Sequence, residues 1–284
     1  MADAKLAAVI LAAGQGKRMG GVAKVLCRSG GRTLIDAVIA AARAAGAGRV
    51  VCVLGHEKEK VAASLPAGVE WVEQRERLGT GHAAMQAEPL LKGFDGEVLV
   101  LCGDTPLLKS DTLSKLVAMV RKDRAAAAVL TFDAPPGNAY GRIIREDGRH
   151  SAFGLGLSEQ PSSRKPKAES RKPSSVEDPG GRVLRIVEAK DATPAELAVR
   201  EVNSGSYCFR AGELFARLGR LTNKNAQGEY YLTDVVGLLI ADGLGVAALK
   251  TDDPDEALGV NSPEDLAAVE AALARRAAGP AGGR

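Results

Sequence analysis

Four glycines and three cations gather just behind the first apolar run of the chain: Gly14, Gly16, Gly20 and Gly21, with Lys17, Arg18 and Lys24. Backbone N–H groups in a glycine-rich turn can approach an anion with no Cβ in the way. The added cations favour a di- or triphosphate over a carboxylate. A second group stands at 101–106, where Asp104 follows the strand-like end Leu101-Cys102-Gly103. Ligands of open α/β sheets collect at the carboxyl ends of strands, so Asp104 is expected in the same crevice as the loop. A lone carboxylate there suits Mg²⁺, which keeps several waters and takes further ligands from substrate phosphates. Asp-Thr-Pro also makes turns, and that plainer reading stands beside the metal one.

Two familiar phosphate loops do not fit. A Walker A loop needs Ser or Thr after Gly-Lys, and Arg18 follows Lys17; it also needs Gly where Leu11 stands. The dinucleotide pattern G-x-G-x-x-G begins at Gly14 and Gly16 but meets Met19 at its third glycine.

The elements that must position these groups follow from periodicity. The apolar run at 6–11 reads as a buried strand, too short for a membrane span. Strand-like runs at 50–54, 69–72, 98–101 and 126–132 alternate with helical patterns at 33–45, 58–64, 78–91 and 110–121. That alternation predicts an α/β fold with a doubly wound, mostly parallel, Rossmann-like sheet. Strands are expected again at 141–145, 183–188, 201–209 and 246–249, with helices at 211–218 and 232–241. Ser262 reads as the cap of a last helix with Pro263 at its first position. From 158 to 181 the composition turns to Ser, Pro, Lys and Glu with little that is apolar, the signature of a disordered insertion. A solvated linker and a basic docking segment are both open readings of it. One domain over 1–278, interrupted by that insertion and followed by a flexible tail at 279–284, is the expected organisation.

Composition narrows the classes. A net charge of +3 over 284 residues points to neither nucleic acid nor membrane. Cys27, Cys52, Cys102 and Cys208 are scattered, with no metal-ligand spacing, and no run reaches a membrane-spanning length. A cytoplasmic protein in a reducing compartment is expected.

The opening loop resembles the signature of sugar-nucleotide pyrophosphorylases, L-A-A-G-x-G-T-R-M followed by P-K. Leu11 to Gly14, Gly16, Arg18, Met19 and Lys24 fit it. Lys17 stands in place of the usual Thr, Ala23 in place of the usual Pro, and the Arg18-to-Lys24 spacing is short. Further segments are similar to those of bacterial N-acetylglucosamine-1-phosphate uridyltransferases. These are Gln74 with 78–82 (LGTGH), 139–143 (AYGRI), 187–193 (VEAKDAT), 202–205 (VNSG), 221–234 (LTNKNAQGEYYLTD) and 259–262 (GVNS). The resemblance covers most of the chain outside the insertion.

It implies a nucleotidyltransferase that makes UDP-N-acetylglucosamine and pyrophosphate from UTP and N-acetylglucosamine-1-phosphate. Arg18 and Lys24 would act on the phosphates, with Leu11, Ala13, Gly14, Gln74, Gly79, Thr80 and Gly103 around the nucleotide. Gly141, Glu188, Asn203, Tyr230 and Thr233 would form a smaller, β-rich sugar-binding subregion. Asp104 and Asn261 would hold Mg²⁺. Read alone, Gly-Thr-Gly is often a helix cap, Asn261 a turn residue before Ser262, and His82 a packed side chain. The departures at Lys17 and Ala23 leave room for another sugar-1-phosphate or nucleotide, and a non-catalytic sugar-nucleotide-binding subunit is the rival of a different class. The common bacterial form carries a second, acetylating β-helix domain. No hexapeptide repeat follows here, so that activity is expected to be absent.

Overall fold

The structure is a computed structural model, and it describes residues 5–122, 124–146 and 181–278, with the Lys17 side chain excepted. The expected insertion and tail lie outside the described residues, apart from Gly181.

The chain runs β1 (Leu6–Ala12), β2 (Arg28–Ser29), β3 (Arg32–Thr33), α1 (Leu34–Ala44), β4 (Arg49–Leu54), α2 (Lys58–Ser64), β5 (Val69–Glu73), α3 (Thr80–Gln86) and β6 (Glu97–Cys102). There follow α4 (Ser110–Lys122), β7 (Ala127–Asp133), β8 (Arg142–Arg145), β9 (Val183–Val187), α5 (Pro194–Leu197) and β10 (Glu201–Arg210). The last elements are α6 (Ala211–Leu218), α7 (Thr233–Ala241), β11 (Val246–Lys250) and α8 (Pro263–Ala278). One sheet has the order β11-β7-β10-β6-β1-β4-β5, and β8 and β9 extend it from β10. β6, β1, β4 and β5 are parallel, as are β7 and β11. β10 runs antiparallel to β6 and β7, and β8 and β9 continue antiparallel from it.

The doubly wound expectation holds, and its cause is visible in β1. Ala7 and Val9 face a core shared with α3, α6 and α7, while Leu6, Ala8 and Ile10 face one shared with α1, α2 and α4. Both faces are covered, so the strand reads as a continuous apolar run. Thr33 caps α1 by accepting the Asp36 N–H at 3.2 Å. Ser262 caps α8, accepting the Asp265 N–H, while the Asp265 carboxylate takes the Ser262 N–H at 2.9 Å.

One local expectation needed correction, and two short elements were missed. The helix read over 78–91 is α3 alone, followed by a 3₁₀ turn at Glu88–Leu91 with Pro89 in its first turn. Proline has no N–H to continue an α-helical ladder. The short hairpin β2–β3 and the one-turn α5 carry too few residues to show a period, and sequence reading passed over them.

After β1, the chain moves outward to β4 and β5, then returns across β1 to lay β6 on its other side. β1 and β6 therefore flank the switch point of the sheet, and their carboxyl ends open a crevice. Among the described residues, no helix is long and apolar enough to cross a membrane.

Candidate active site

The crevice is built from the two strand ends. The Gly103 N–H extends the β1–β6 ladder to the Leu11 carbonyl at 2.9 Å. A Cβ on Gly103 would stand 3.2–3.3 Å from Ala12, Ile10 and Leu11, so this position holds the two strands close. Asp104 comes next, its carbonyl accepting the Val260 N–H at 2.9 Å. That bond brings the 259–262 segment alongside. A cleft of about 260 Å³ opens here, lined by Leu11, Ala13, Gly14, Lys24, Gln74 and Asp104 among others.

Lys24 is at the centre of the charge. Its ammonium donates to the Asp104 carboxylate and, at 2.7 Å, to Asn261 Oδ1. The Lys24 and Asp104 side chains are 15% and 16% exposed, so the pair is sheltered but reachable from the cleft. Three of the four polar groups expected to converge do so. Arg18 does not: it lies exposed on the 3₁₀ turn Lys17–Met19, with no ion pair or hydrogen bond among the described residues. The loop is wound by Gly16 at φ +59°, whose carbonyl accepts from Met19 and Gly21; a Cβ there would collide with the Val22 carbonyl.

The oxygen donors of Asp104 and Asn261 already embrace one cation, the Lys24 ammonium. Hard carboxylate and amide oxygens are the donors that Mg²⁺ accepts, so the pair fits a divalent ion that draws other ligands from phosphate and water. No group of three or more His, Cys, Asp or Glu suited to a metal occurs among the described residues. Cys102, beside Asp104, is pushed up to about 12 by burial and then by the Asp104 charge.

Sequence reading missed two residues of this region. Glu57 Oε2 accepts the Ala23 N–H at 2.8 Å, and the His56 ring lies 2.6 Å from the Gly21 carbonyl. Hydrogen bonds from Lys60 and Ala23 hold the Glu57 carboxyl below the usual range. The one signal available was Ala23 itself, a donor where the family has a proline.

On the other wall, Gln74 is buried. Its amide nitrogen faces the Gly79 carbonyl and His82 Nδ1, each at 3.1 Å, which leaves Oε1 without a protein partner among the described residues. The amide therefore offers the cleft an acceptor. His82 packs and orients Gln74, as its plainer reading held. The Gly-Thr-Gly motif is a docking seam. Tyr230 N–H donates to the Leu78 carbonyl at 2.7 Å, and Gly81 N–H to the Tyr230 carbonyl at 2.8 Å. Thr80 Oγ1 accepts the Leu232 N–H at 3.1 Å. A Cβ on Gly79 or Gly81 would lie 2.6 or 2.9 Å from the Tyr230 carbonyl oxygen. Tyr230 is thus held by its backbone at the Gln74 side, with its ring 6.3 Å from that of His82.

The remaining expected sugar residues meet around β8, β9 and β10. Asn203 N–H donates to the Gly141 carbonyl at 2.9 Å, and Asn203 Oδ1 accepts the Gly205 N–H at 2.9 Å. The β10 register shifts between Asn203 and Tyr207, with Gly205 at φ +81°. Gly141 lies close enough to Glu188 that a Cβ would be 3.5 Å from its carboxylate. Thr233 Oγ1 donates to Glu188 Oε1 at 3.0 Å. Burial raises the Glu188 carboxyl, and the Thr233 hydroxyl opposes that rise. Asp191 ties this wall to 226–231 by accepting the Ala226 N–H at 2.8 Å and the Tyr231 hydroxyl at 3.1 Å.

A mixed sheet with a cation and a carboxylate at its switch point has the α/β nucleotidyltransferase fold. The structure of UDP-glucose pyrophosphorylase complexed with UDP-glucose matches it with a TM-score of 0.69, covering 96% of this chain and 99% of that one at 16% identity. That likeness speaks for the fold alone. The chain belongs to the MobA-like NTP transferase domain family, whose model matches residues 8–229. It is similar to the bifunctional protein GlmU of Pelotomaculum thermopropionicum, at 44% identity over 272 residues, covering 95% of this chain and 52% of that one. GlmU of Lactobacillus delbrueckii subsp. bulgaricus is 42% identical over 269 residues, covering 94% and 51%. The chain thus spans about half the length of the curated relatives it matches.

Proposed function

We propose that this chain joins UTP to N-acetylglucosamine-1-phosphate, releasing pyrophosphate and forming UDP-N-acetylglucosamine. The observation that carries the reading is the meeting of Lys24, Asp104 and Asn261 at the mouth of a cleft walled by Gln74. The GlmU relatives support the same reading.

A phosphate monoester is already an anionic nucleophile near neutral pH, with a second pKa of about 6, so attack on the α-phosphorus needs no base from the protein. The task is to bring two anions together and hold them in line. Lys24 would exchange Asp104 for a phosphate oxygen, and the exposed Arg18 would close on the triphosphate. Backbone groups from Leu11 to Gly14 and at Gly103 would line its path. Gln74 Oε1 would accept the imide N–H of uracil, with Gly79 and Thr80 fixing that wall. Glu188, Asn203, Gly141 and Thr233 would hold the sugar, and Tyr230 would brace the junction. Mg²⁺ held by Asp104 and Asn261 would supply charge neutralisation between the two phosphates. The four unpaired cysteines suit a reducing cytoplasm.

Pyrophosphate release measured across four NTPs and several sugar-1-phosphates tests the assignment. UTP with N-acetylglucosamine-1-phosphate should be the fastest pair. A faster alternative pair would reassign the substrates, and UDP-N-acetylglucosamine binding with no release from any pair would make this a binding subunit.

A further inference from the structure

Glu57 is one of two described non-glycine residues with a left-handed backbone, at φ +51°. A side chain rarely adopts that conformation unless its surroundings compensate. Here both carboxylate oxygens are engaged: Oε1 accepts from Lys60, and Oε2 accepts the Ala23 N–H at 2.8 Å. Ala23 precedes Lys24, the first residue of the 3₁₀ turn Lys24–Leu26. Its φ of −58° is one that a proline would take. A proline there would fix the backbone through its ring and would offer no donor. Alanine leaves the backbone free to rotate and exposes an N–H that needs an acceptor in a sheltered place.

We propose that Glu57 is a positioning residue for Lys24: its carboxylate clamps the Ala23 N–H and so does by hydrogen bonding what a proline ring at position 23 would do covalently. Glu57 and Ala23 are a matched pair. The clamp joins the glycine-rich loop to the β4–α2 connection, and His56 adds a second contact at the Gly21 carbonyl. The lysine that faces Asp104 and Asn261 is thereby held from outside the cleft, by a residue that no substrate need touch. This inference rests on the phosphate-binding role given to Lys24 above.

A double-mutant cycle in the full chain tests it, read by hydrogen exchange of the free protein over 17–27, by the KM and kcat for UTP, and by Tm. Glu57→Gly should raise loop exchange about tenfold, as loss of a charged-group hydrogen bond allows. KM for UTP should rise several-fold with a smaller change in kcat. Tm should hold or increase, because glycine relaxes the left-handed backbone; a merely structural residue would lower it. Glu57→Gln, which keeps an acceptor oxygen, should stay near the parent. The Ala23→Pro/Glu57→Gly double variant should recover most of the exchange protection and KM. Unchanged exchange and KM in Glu57→Gly, or a double variant no better than that single one, would overturn the proposal. If Glu57→Gly does not fold, Glu57→Ala against Glu57→Gln makes the same contrast of acceptor lost and kept. Exchange needs no substrate, so an inactive parent with the expected exchange pattern would count against uridylyl transfer and leave the clamp standing.

Discussion

The region proposed for phosphate and the region proposed for the sugar are finished to different degrees. On the phosphate side, Lys24 spans Asp104 and Asn261 while Arg18 and Gly14 stand exposed. On the sugar side, Glu188, Asn203 and Thr233 already have partners inside the protein, and Asp191 locks the neighbouring segment. The difference follows from what each region would recognise. A polyanion is drawn by charge acting over several ångströms, so its cations can remain mobile until it arrives. Sugar hydroxyls are told apart by short, directional hydrogen bonds, and those need groups fixed beforehand.

Breaking the phosphate side should cost most in rate and little in fold. Asp104→Ala removes one of two oxygen donors and frees Lys24, and turnover should fall about 10³-fold, the scale of a lost electrostatic stabiliser. Tm should change little, because the pair borders the cleft. A variant that keeps a tenth of parental turnover would remove Asp104 from the metal assignment. The seam between the regions should show the reverse. Gly81→Ala places a Cβ 2.5 Å from Leu221 Cδ1 and 2.9 Å from the Tyr230 carbonyl oxygen. Overpacking of that kind costs about 1–3 kcal/mol, so thermal unfolding should move down by several degrees. An unshifted melt would mean that 221–234 is not held by this seam.

The sugar side gives the smallest effect and the most telling sign. Burial lifts the Glu188 carboxyl, so its ionised form carries a cost above the raised value, and that cost fades as pH falls through it. Glu188→Gln removes the charge but keeps an acceptor for Thr233. Stability at neutral pH should stay level or rise by about 1 kcal/mol, while KM for the sugar phosphate rises about tenfold. A melt that falls together with activity would make Glu188 a structural anchor.

Much of this was legible in the chain. Apolar runs and their spacing located the strands, because residues buried on both faces leave no other pattern. The glycine loop and Asp104 suggested their chemistry by residue type, whereas Asn261 was picked out by the family resemblance. What escaped depended on tertiary partners. That Gln74 turns an acceptor to the cleft depends on Gly79 and His82, which occupy its nitrogen. Gly79 and Gly81 looked like a cap, and the Tyr230 backbone, with Glu229 and Leu221 beside it, explains why neither can bear a side chain. Glu57 gave no sign in its own residue type, since a left-handed glutamate is chosen by its surroundings and not by its own preference.

The reversed strand β10 has a consequence for how the chain is made. Val98 to Val100 of β6 pair with 207–209, more than a hundred positions later, and β10 also pairs with β7. While a ribosome is still short of residue 210, both β6 and β7 present bare edges to their surroundings. Contacts so distant in the chain are slow to form. The middle of the sheet therefore stays open until β10 is made, and only the edge strand β11 is added after it.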